Sequence, residues 1–311
     1  MRYLPWIGAA LGIIALLGAT HSTRAAEPLL DESAGVRRIV TGCRFTEGPV
    51  VDAQGNLFFS DGPQDRIVRY TRDGVTSDFR RPCGRANGLT LDRQGRLVLC
   101  QSGGAGGGRR VTRLETDGQE TVLADQFQGQ PFHGPNDLCV DRLGRIYFTD
   151  PHYGPPAEGT PPVAGVYRID APGQVTLVVR DLQRPNGIVL TPDESQLYIS
   201  DRGTQKLHRY RVAEDGSLTP DGILYDFAPD RGVDGMRVDE RGNVWAAAGQ
   251  GATTGLFVVS PQGQLLLHKP MPEFSTNLAF GGPDRQDLYF TASTSVYQLR
   301  TRVPGARPRE K

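Results

Sequence analysis

Gly134-Pro135-Asn136-Asp137-Leu138 leads through a turn into Arg145-Ile146-Tyr147-Phe148, and the chain repeats this pattern six times. Each copy begins with an acidic or amide side chain and continues as an apolar strand, a turn and a second apolar strand. The lead residues are Glu47, Asn87, Asn136, Asn186, Asp234 and Asn277. They are separated by 40, 49, 50, 48 and 43 residues, which is the repeat length of four-stranded propeller blades. The sequence therefore predicts an all-β fold, a six-bladed β-propeller.

Each copy continues into a third strand of alternating apolar residues, and a turn then leads most copies into a fourth. The third strands are predicted at residues 66–70, 110–114, 165–169, 206–210, 255–259 and 295–299. The sixth copy lacks a fourth strand, and residues 36–40 form a strand left over before the first copy. We predict that residues 36–40 pair with residues 295–299 and close the last blade, because this pairing removes two exposed sheet edges.

Composition is that of a turn-rich globular chain without a charge bias. Lys and Arg total 35 and Asp and Glu total 35, so the formal net charge is zero. Neither nucleic acid nor an anionic membrane surface is therefore an expected partner. The copies run almost end to end, which predicts a single propeller domain over residues 26–311.

The first 25 residues have the pattern of an export signal. Arg2 precedes an apolar run from Trp6 to Leu17, and Thr23-Arg24-Ala25 ends in a small residue suited to cleavage. The run is too short to cross a bilayer. We predict a signal peptide at residues 1–25, a periplasmic or secreted protein, and no membrane association in the mature form.

Four cysteines follow the signal segment. They are Cys43, Cys83, Cys100 and Cys139. In an oxidising compartment they could pair in three ways, and the sequence does not choose among them. Buried free thiols are the alternative, and both interpretations stay open.

The lead residues of the repeats predict a cation site. Equivalent residues of propeller blades lie at equal distances from the axis, so the six lead side chains should line one ring. All six carry oxygen and none is basic. Carboxylates and amides in a channel of low dielectric constant repel one another unless a cation lies between them. No histidine occupies the ring, which argues against a histidine-rich zinc site.

Several motifs around the ring resemble the gluconolactonase branch of the senescence marker protein/gluconolactonase/luciferin-regenerating family. They are Thr46-Glu47-Gly48-Pro49, Gly134 to Leu138, Tyr147-Phe148-Thr149-Asp150-Pro151-His152-Tyr153-Gly154, Arg184-Pro185-Asn186-Gly187 and Val233-Asp234-Gly235-Met236. The resemblance covers nearly the whole mature chain. It implies a six-bladed propeller that holds a divalent cation, most often Ca²⁺, on its axis and hydrolyses a small-molecule sugar lactone to the aldonic acid.

The resemblance also implies roles for individual residues. Glu47, Asn186 and Asp234 match the metal ligands, and Asp234 also matches the catalytic acid/base. Asn136 matches a residue that contacts the substrate or the metal's outer shell. We assign His152 and Tyr153 of the long motif to substrate binding as well, with a solvated loop histidine as the alternative for His152. One position departs from the animal members, which carry an arginine two residues before the substrate asparagine, where this chain has Gly134.

The residues support this chemistry on their own terms. Three oxygen ligands leave several coordination positions of Ca²⁺ open for water and substrate, and a carboxylate beside them can take a proton from the attacking water. The sequence contains no Gly-x-Ser-x-Gly elbow and no cysteine set beside a histidine, so covalent catalysis has no support. Asp61, Asp150 and Asp201 each end a second strand, and this repeated offset indicates turn capping more than catalysis.

Other functions remain open at this level. The first is a related metal-dependent hydrolase of other lactones or of phosphotriesters. The second is a propeller that binds without catalysis, in which the cation only neutralises the channel. The third is an oxidoreductase-type propeller, although such proteins hold an organic cofactor and usually have more blades.

Overall fold

The structure is a computed structural model that describes residue 1 and residues 27–153 and 164–307. In chain order its strands are β1 Arg37–Val40, β2 Thr46–Val51, β3 Leu57–Asp61, β4 Arg66–Tyr70, β5 Thr76–Arg80, β6 Ala86–Leu91, β7 Leu97–Gln101, β8 Arg110–Leu114, β9 Glu120–Ala124, β10 Gln126–Phe127, β11 Gln130–Pro131, β12 Leu138–Val140, β13 Ile146–Asp150, β14 Gly165–Ala171, β15 Gln174–Val179, β16 Pro185–Leu190, β17 Gln196–Asp201, β18 Lys206–Val212, β19 Leu218–Asp226, β20 Met236–Val238, β21 Val244–Ala248, β22 Gly255–Val259, β23 Leu265–Pro270, β24 Ser275–Gly281, β25 Asp287–Ala292 and β26 Ser295–Arg300. Short 3-10 helices span Glu32–Ala34, Gly62–Gln64 and Gly251–Thr253.

These strands form six four-stranded antiparallel sheets, and β10 and β11 form a separate hairpin. Each sheet is one blade, and β2, β6, β12, β16, β20 and β24 are the first strands of blades 1 to 6. Each first strand contacts the first strand of the next blade, and β24 contacts β2 to complete the circle. The predicted six-bladed propeller is confirmed.

Blade 6 combines the two ends of the described chain. Its strand order is β1-β26-β25-β24, and β1 pairs antiparallel with β26, with Arg38 opposite Tyr297 and Val40 opposite Val296. The residues before β1 continue along the same edge, because Asp31 donates its backbone N–H to the carbonyl of Arg300 at 2.8 Å. The predicted closure by an N-terminal strand is confirmed, and the strand begins at Arg37 rather than at residue 36.

The apolar core is divided among the contacts between blades. Six clusters of buried side chains occur, and each joins two neighbouring blades. Trp245 of blade 5, for example, is fully buried against Leu278 and Phe290 of blade 6. Burial of such a side chain contributes about 1.5–3 kcal/mol, so every blade depends on both neighbours for its stability.

The predictions on the signal peptide and on the state of the cysteines concern the N-terminal segment and four side chains. The signal-peptide segment lies outside the described residues, apart from residue 1. All four cysteines are free thiols, and Cys139 is the least buried of them. Among the residues that the structure describes, no helix has the length and apolar character needed to cross a membrane.

Candidate active site on the propeller axis

The lead residues of the six repeats lie where the first strands begin, at the centre of the propeller. Glu47, Asn186, Asp234 and Asn277 are between 2% and 4% exposed, and Asn87 and Asn136 are half-buried. Pairing between the first and second strands shifts register beside the lead residue in blades 1, 2, 4 and 6. A β-bulge of this kind re-aims a side chain, and here it leaves the lead side chains facing the axis.

Glycines after the lead residues let neighbouring blades approach closely. A Cβ on Gly48 would lie 2.2 Å from the carbonyl oxygen of Asn87, and one on Gly187 would lie 2.2 Å from that of Asp234. The third copy differs because Asp137 occupies this position. Its carboxylate is 1% exposed, which brings an additional acid into the channel.

Glu47 has one carboxylate oxygen held by the protein and a second without a recorded partner. Its Oε2 accepts hydrogen bonds from the backbone N–H of Gly48 at 2.9 Å and from Nδ2 of Asn277 at 3.1 Å. Burial, followed by repulsion from Asp234 and Asp137, raises the pKa of Glu47 to about 8. The ionised form of Glu47 is therefore disfavoured in this buried site unless a positive charge lies close to it.

Asp137 and Asn136 have buried oxygens without partners. Oδ1 of Asp137 accepts the backbone N–H of Leu138 at 2.9 Å, whereas its Oδ2 makes no hydrogen bond. Oδ1 of Asn136 is also buried without a partner. Burial raises the pKa of Asp137 and nearby Arg237 opposes this shift. Buried oxygens of this kind are acceptors left over for a ligand or a cation.

Asp234 is paired with two arginines that sequence reasoning missed. Nη1 of Arg231 donates to Oδ2 of Asp234 at 2.9 Å, and Nη1 of Arg202 lies 3.4 Å from the same oxygen. Arg231 is also fixed by the carbonyls of Gly249 and Ser275, and it lies 3.9 Å over the Phe274 ring. The ring positions themselves contain no base, as predicted, but their charge is partly balanced by these loop arginines.

Tyr153 joins the predicted substrate-binding residues to the ring. Its hydroxyl oxygen accepts a hydrogen bond from Nδ2 of Asn186 at 2.5 Å, so its own proton remains available to another acceptor. Burial of the hydroxyl, with Asp234 nearby, raises the pKa of Tyr153 to about 12. The residue as a whole is 43% exposed, because the ring extends from the channel to the surface under Arg184.

His152 lies beside His133 rather than on the ring. The two imidazole rings are 4.7 Å apart, and Nε2 of His152 and Nδ1 of His133 are buried without hydrogen-bond partners. Burial, together with His133, lowers the pKa of His152, which favours its neutral form. Among the described residues His152 makes no recorded hydrogen bond to a ring side chain, so its predicted role in substrate binding remains a prediction.

The strand-ending aspartates hold the loops that precede the ring residues. Asp150 accepts the backbone N–H groups of His133 and Gly134, and Asp201 accepts those of Gln183 and Arg184. Asp61 accepts those of Arg44 and Phe45. Their predicted capping function agrees with these contacts.

The donor set fits a hard divalent cation. Oxygen atoms of Glu47, Asn186 and Asp234 lie on buried side chains around one axis, and Glu47 and Asp234 are close enough to repel each other. Within the described part of the chain no three His, Cys, Asp or Glu side chains converge on one point. A site here therefore depends on amide oxygens in addition to carboxylates, which is a usual composition for Ca²⁺.

Sequence comparison places this geometry in a known family. A family model for the SMP-30/gluconolactonase/LRE-like region matches residues 45–294. The chain belongs to this family. The match extends from the residues just before Glu47 to the turn before β26, so it includes every ring residue.

Relatives within this family are similar over most of their length. A gluconolactonase of Zymomonas mobilis subsp. mobilis is 31% identical, over 90% of this chain and 85% of that protein. A 6-deoxy-6-sulfogluconolactonase of Pseudomonas putida is 34% identical, over 80% of this chain and 88% of that protein. A solved gluconolactonase structure from Xanthomonas campestris is 30% identical with a TM-score of 0.77, covering 86% of this chain and 89% of that one. The prediction of a lactone-hydrolysing enzyme is confirmed.

Proposed function

We propose that this protein hydrolyses a sugar lactone to its aldonic acid, as a gluconolactonase does, and that the reaction depends on a divalent cation, Ca²⁺ in the first instance. The observation that carries the proposal is the buried oxygen ring. Glu47 and Asp234 face a common axis, and Asn136 and Asp137 add buried oxygens without partners. Relatives named for hydrolysis of gluconolactone and of a sulfonated gluconolactone support the substrate class.

Glu47, Asn186 and Asp234 would hold the cation. When bound, the cation polarises the lactone carbonyl and stabilises negative charge on its oxygen. Contacts within the chain support these residues as the proposed ligands. Gly48 and Asn277 fix one oxygen of Glu47, and Arg231 fixes one oxygen of Asp234.

Asp234 would act as the acid/base through Oδ1, because Oδ2 already accepts from Arg231. It takes a proton from water as the water oxygen bonds to the carbonyl carbon. The bond between that carbon and the ring oxygen then breaks, and Asp234 returns the proton to the leaving oxygen. The hydroxyl of Tyr153 has a proton to donate to a sugar oxygen, and Asn136 and His152 complete the proposed contacts to substrate.

Hydrolysis of glucono-δ-lactone, measured by acid release after chelation and after Ca²⁺ is restored, tests the proposal. We expect chelation to abolish most of the activity and Ca²⁺ to restore it. Full activity in a preparation shown to be free of metal would contradict the metal dependence. A metal-restored protein inactive on a panel of sugar lactones would contradict the substrate class.

A further inference from the structure

Arg202 is held at the mouth of the channel by its neighbours in the chain. It directly follows Asp201, which ends β17 and is 1% exposed. Oδ1 of Asp201 accepts the backbone N–H groups of Arg184 and Gly203, and Arg202 donates its own N–H to the carbonyl of Arg184 at 3.0 Å. The backbone on both sides is therefore fixed, and the side chain extends toward Asp234.

The guanidinium of Arg202 has donors to spare, unlike that of Arg231. All three nitrogens of Arg231 are committed, to Gly249, Asp234 and Ser275, and its side chain is 7% exposed. Arg202 makes a long contact of 3.4 Å to an oxygen that Arg231 already holds, it also contacts the Tyr153 hydroxyl, and its side chain is 22% exposed. Arg231 therefore holds Asp234 in place, whereas Arg202 presents hydrogen-bond donors to the channel.

Two guanidinium groups lie at the mouth of the channel. Arg231 and Arg202 both contact Oδ2 of Asp234, and Glu47 is near both of them. Arg202 is a cation beside the Tyr153 hydroxyl, and the remaining N–H groups of its planar guanidinium suit a bidentate oxyanion.

We propose that Arg202 determines specificity by binding an anionic oxygen group of the ligand, with Tyr153 beside it. This inference rests on the proposed lactone hydrolysis and extends it to the substrate class. Two groups of the ligand could supply this negative charge. The anionic group is either the carboxylate that ring opening creates or an acidic substituent already present on the sugar.

Three variants separate the role of Arg202 from general effects on the fold. Arg202→Gln removes the charge, and Arg202→Lys keeps the charge without the planar pair of donors. Arg37→Gln is the matched control, because Arg37 is an exposed arginine on β1, the outer strand of blade 6. Thermal melting identifies any variant that fails to fold.

Calorimetry of gluconate binding, with and without Ca²⁺, tests whether the anionic group is the carboxylate of the product. Arg202→Gln loses a charge-assisted hydrogen bond, so its dissociation constant for gluconate should be about 10- to 100-fold larger than that of the wild type. Arg202→Lys should lie between the wild type and Arg202→Gln, and Arg37→Gln should match the wild type. This binding needs no turnover, so it can succeed even if the wild type hydrolyses no lactone and the proposed function fails.

Kinetics with two substrates test whether the anionic group is an acidic substituent on the sugar. If the source is a substituent, Arg202→Gln should lower kcat/KM for 6-deoxy-6-sulfogluconolactone about 10- to 100-fold more than for glucono-δ-lactone. The inference is overturned if gluconate binding and this ratio both stay at wild-type values. It is also overturned if kcat/KM falls by one factor for both lactones with gluconate binding unchanged, because Arg202 would then act only through Asp234.

Discussion

Asp234 has two proposed functions that a single substitution separates. Asp234→Asn keeps an oxygen of nearly the same shape beside the axis but removes the basic carboxylate. We expect the rate of lactone hydrolysis to fall about 10²- to 10⁴-fold at saturating Ca²⁺, with weaker but measurable metal binding. Asp193→Asn is the matched control, because Asp193 lies in the turn at the far end of β16 from Asn186. Recovery to nearly the wild-type rate at high Ca²⁺ would make Asp234 a ligand only.

Glu47 predicts a pH dependence of the metal-free protein. Its pKa is raised to about 8 in the folded state, against a usual value near 4.3 in an unfolded chain. Between these values the folded state binds a proton that the unfolded state does not, so the free energy of unfolding falls as pH rises. We expect the melting temperature of chelated protein to decrease from about pH 5 to about pH 9.

Glu47→Gln should remove much of this decrease, and Glu32→Gln, at an exposed site, should leave it unchanged. Ca²⁺ binding to the wild type near neutral pH should release a proton, measured by calorimetry in buffers of different ionisation enthalpy. Equal pH slopes for the wild type and Glu47→Gln would contradict this assignment.

At the scale of the strand, the glycine after a lead residue sets how closely two blades approach. Gly48 has φ +51° and its Cβ position is blocked by backbone atoms of Asn87 and Leu89, whereas Gly42 has φ +84° and open space around it. Gly48→Ala should cost about 1–3 kcal/mol from overpacking beyond the cost of Gly42→Ala, which reports the left-handed backbone alone. Chemical denaturation of both variants measures the difference, and equal losses would show that close approach is unimportant.

The elements were predictable because their sequence signals are local. Alternation in residues 66–70 or 255–259 depends only on which side chains face a neighbouring blade, and the structure has strands over those same residues. The lead residues were predictable because they occupy the same position in each of the six copies, and equivalent positions lie at equal distances from the axis. Arg202 and Arg231 lie in loops of unequal length, so no repeat aligns them with Asp234. A sequence signal for Arg231 existed only in its spacing of three residues from Asp234, and Asp137 could have been noticed as the residue that replaces glycine in the third copy.

For the whole molecule, the circle of blades depends on β1. A variant that lacks residues up to 43 loses β1 and Leu30, exposing the edge of β26. Lost burial of Leu30 and Val40 alone should cost about 3–6 kcal/mol, and the bare edge should promote aggregation. A chain starting at residue 27 is the control. Thermal melting and light scattering make the comparison, and equal stability and solubility would contradict the dependence on β1.

Blade 6 also sets an order of events during synthesis on the ribosome. Its partners β1 and β26 are separated by most of the chain, and residues near 300 must leave the ribosome before the blade can form. Until then β1 and the open side of blade 1 have no partner, and contacts so distant in sequence form slowly. Blade 6 and the closed circle can therefore form only after β26 has emerged, even if the other blades are already folded.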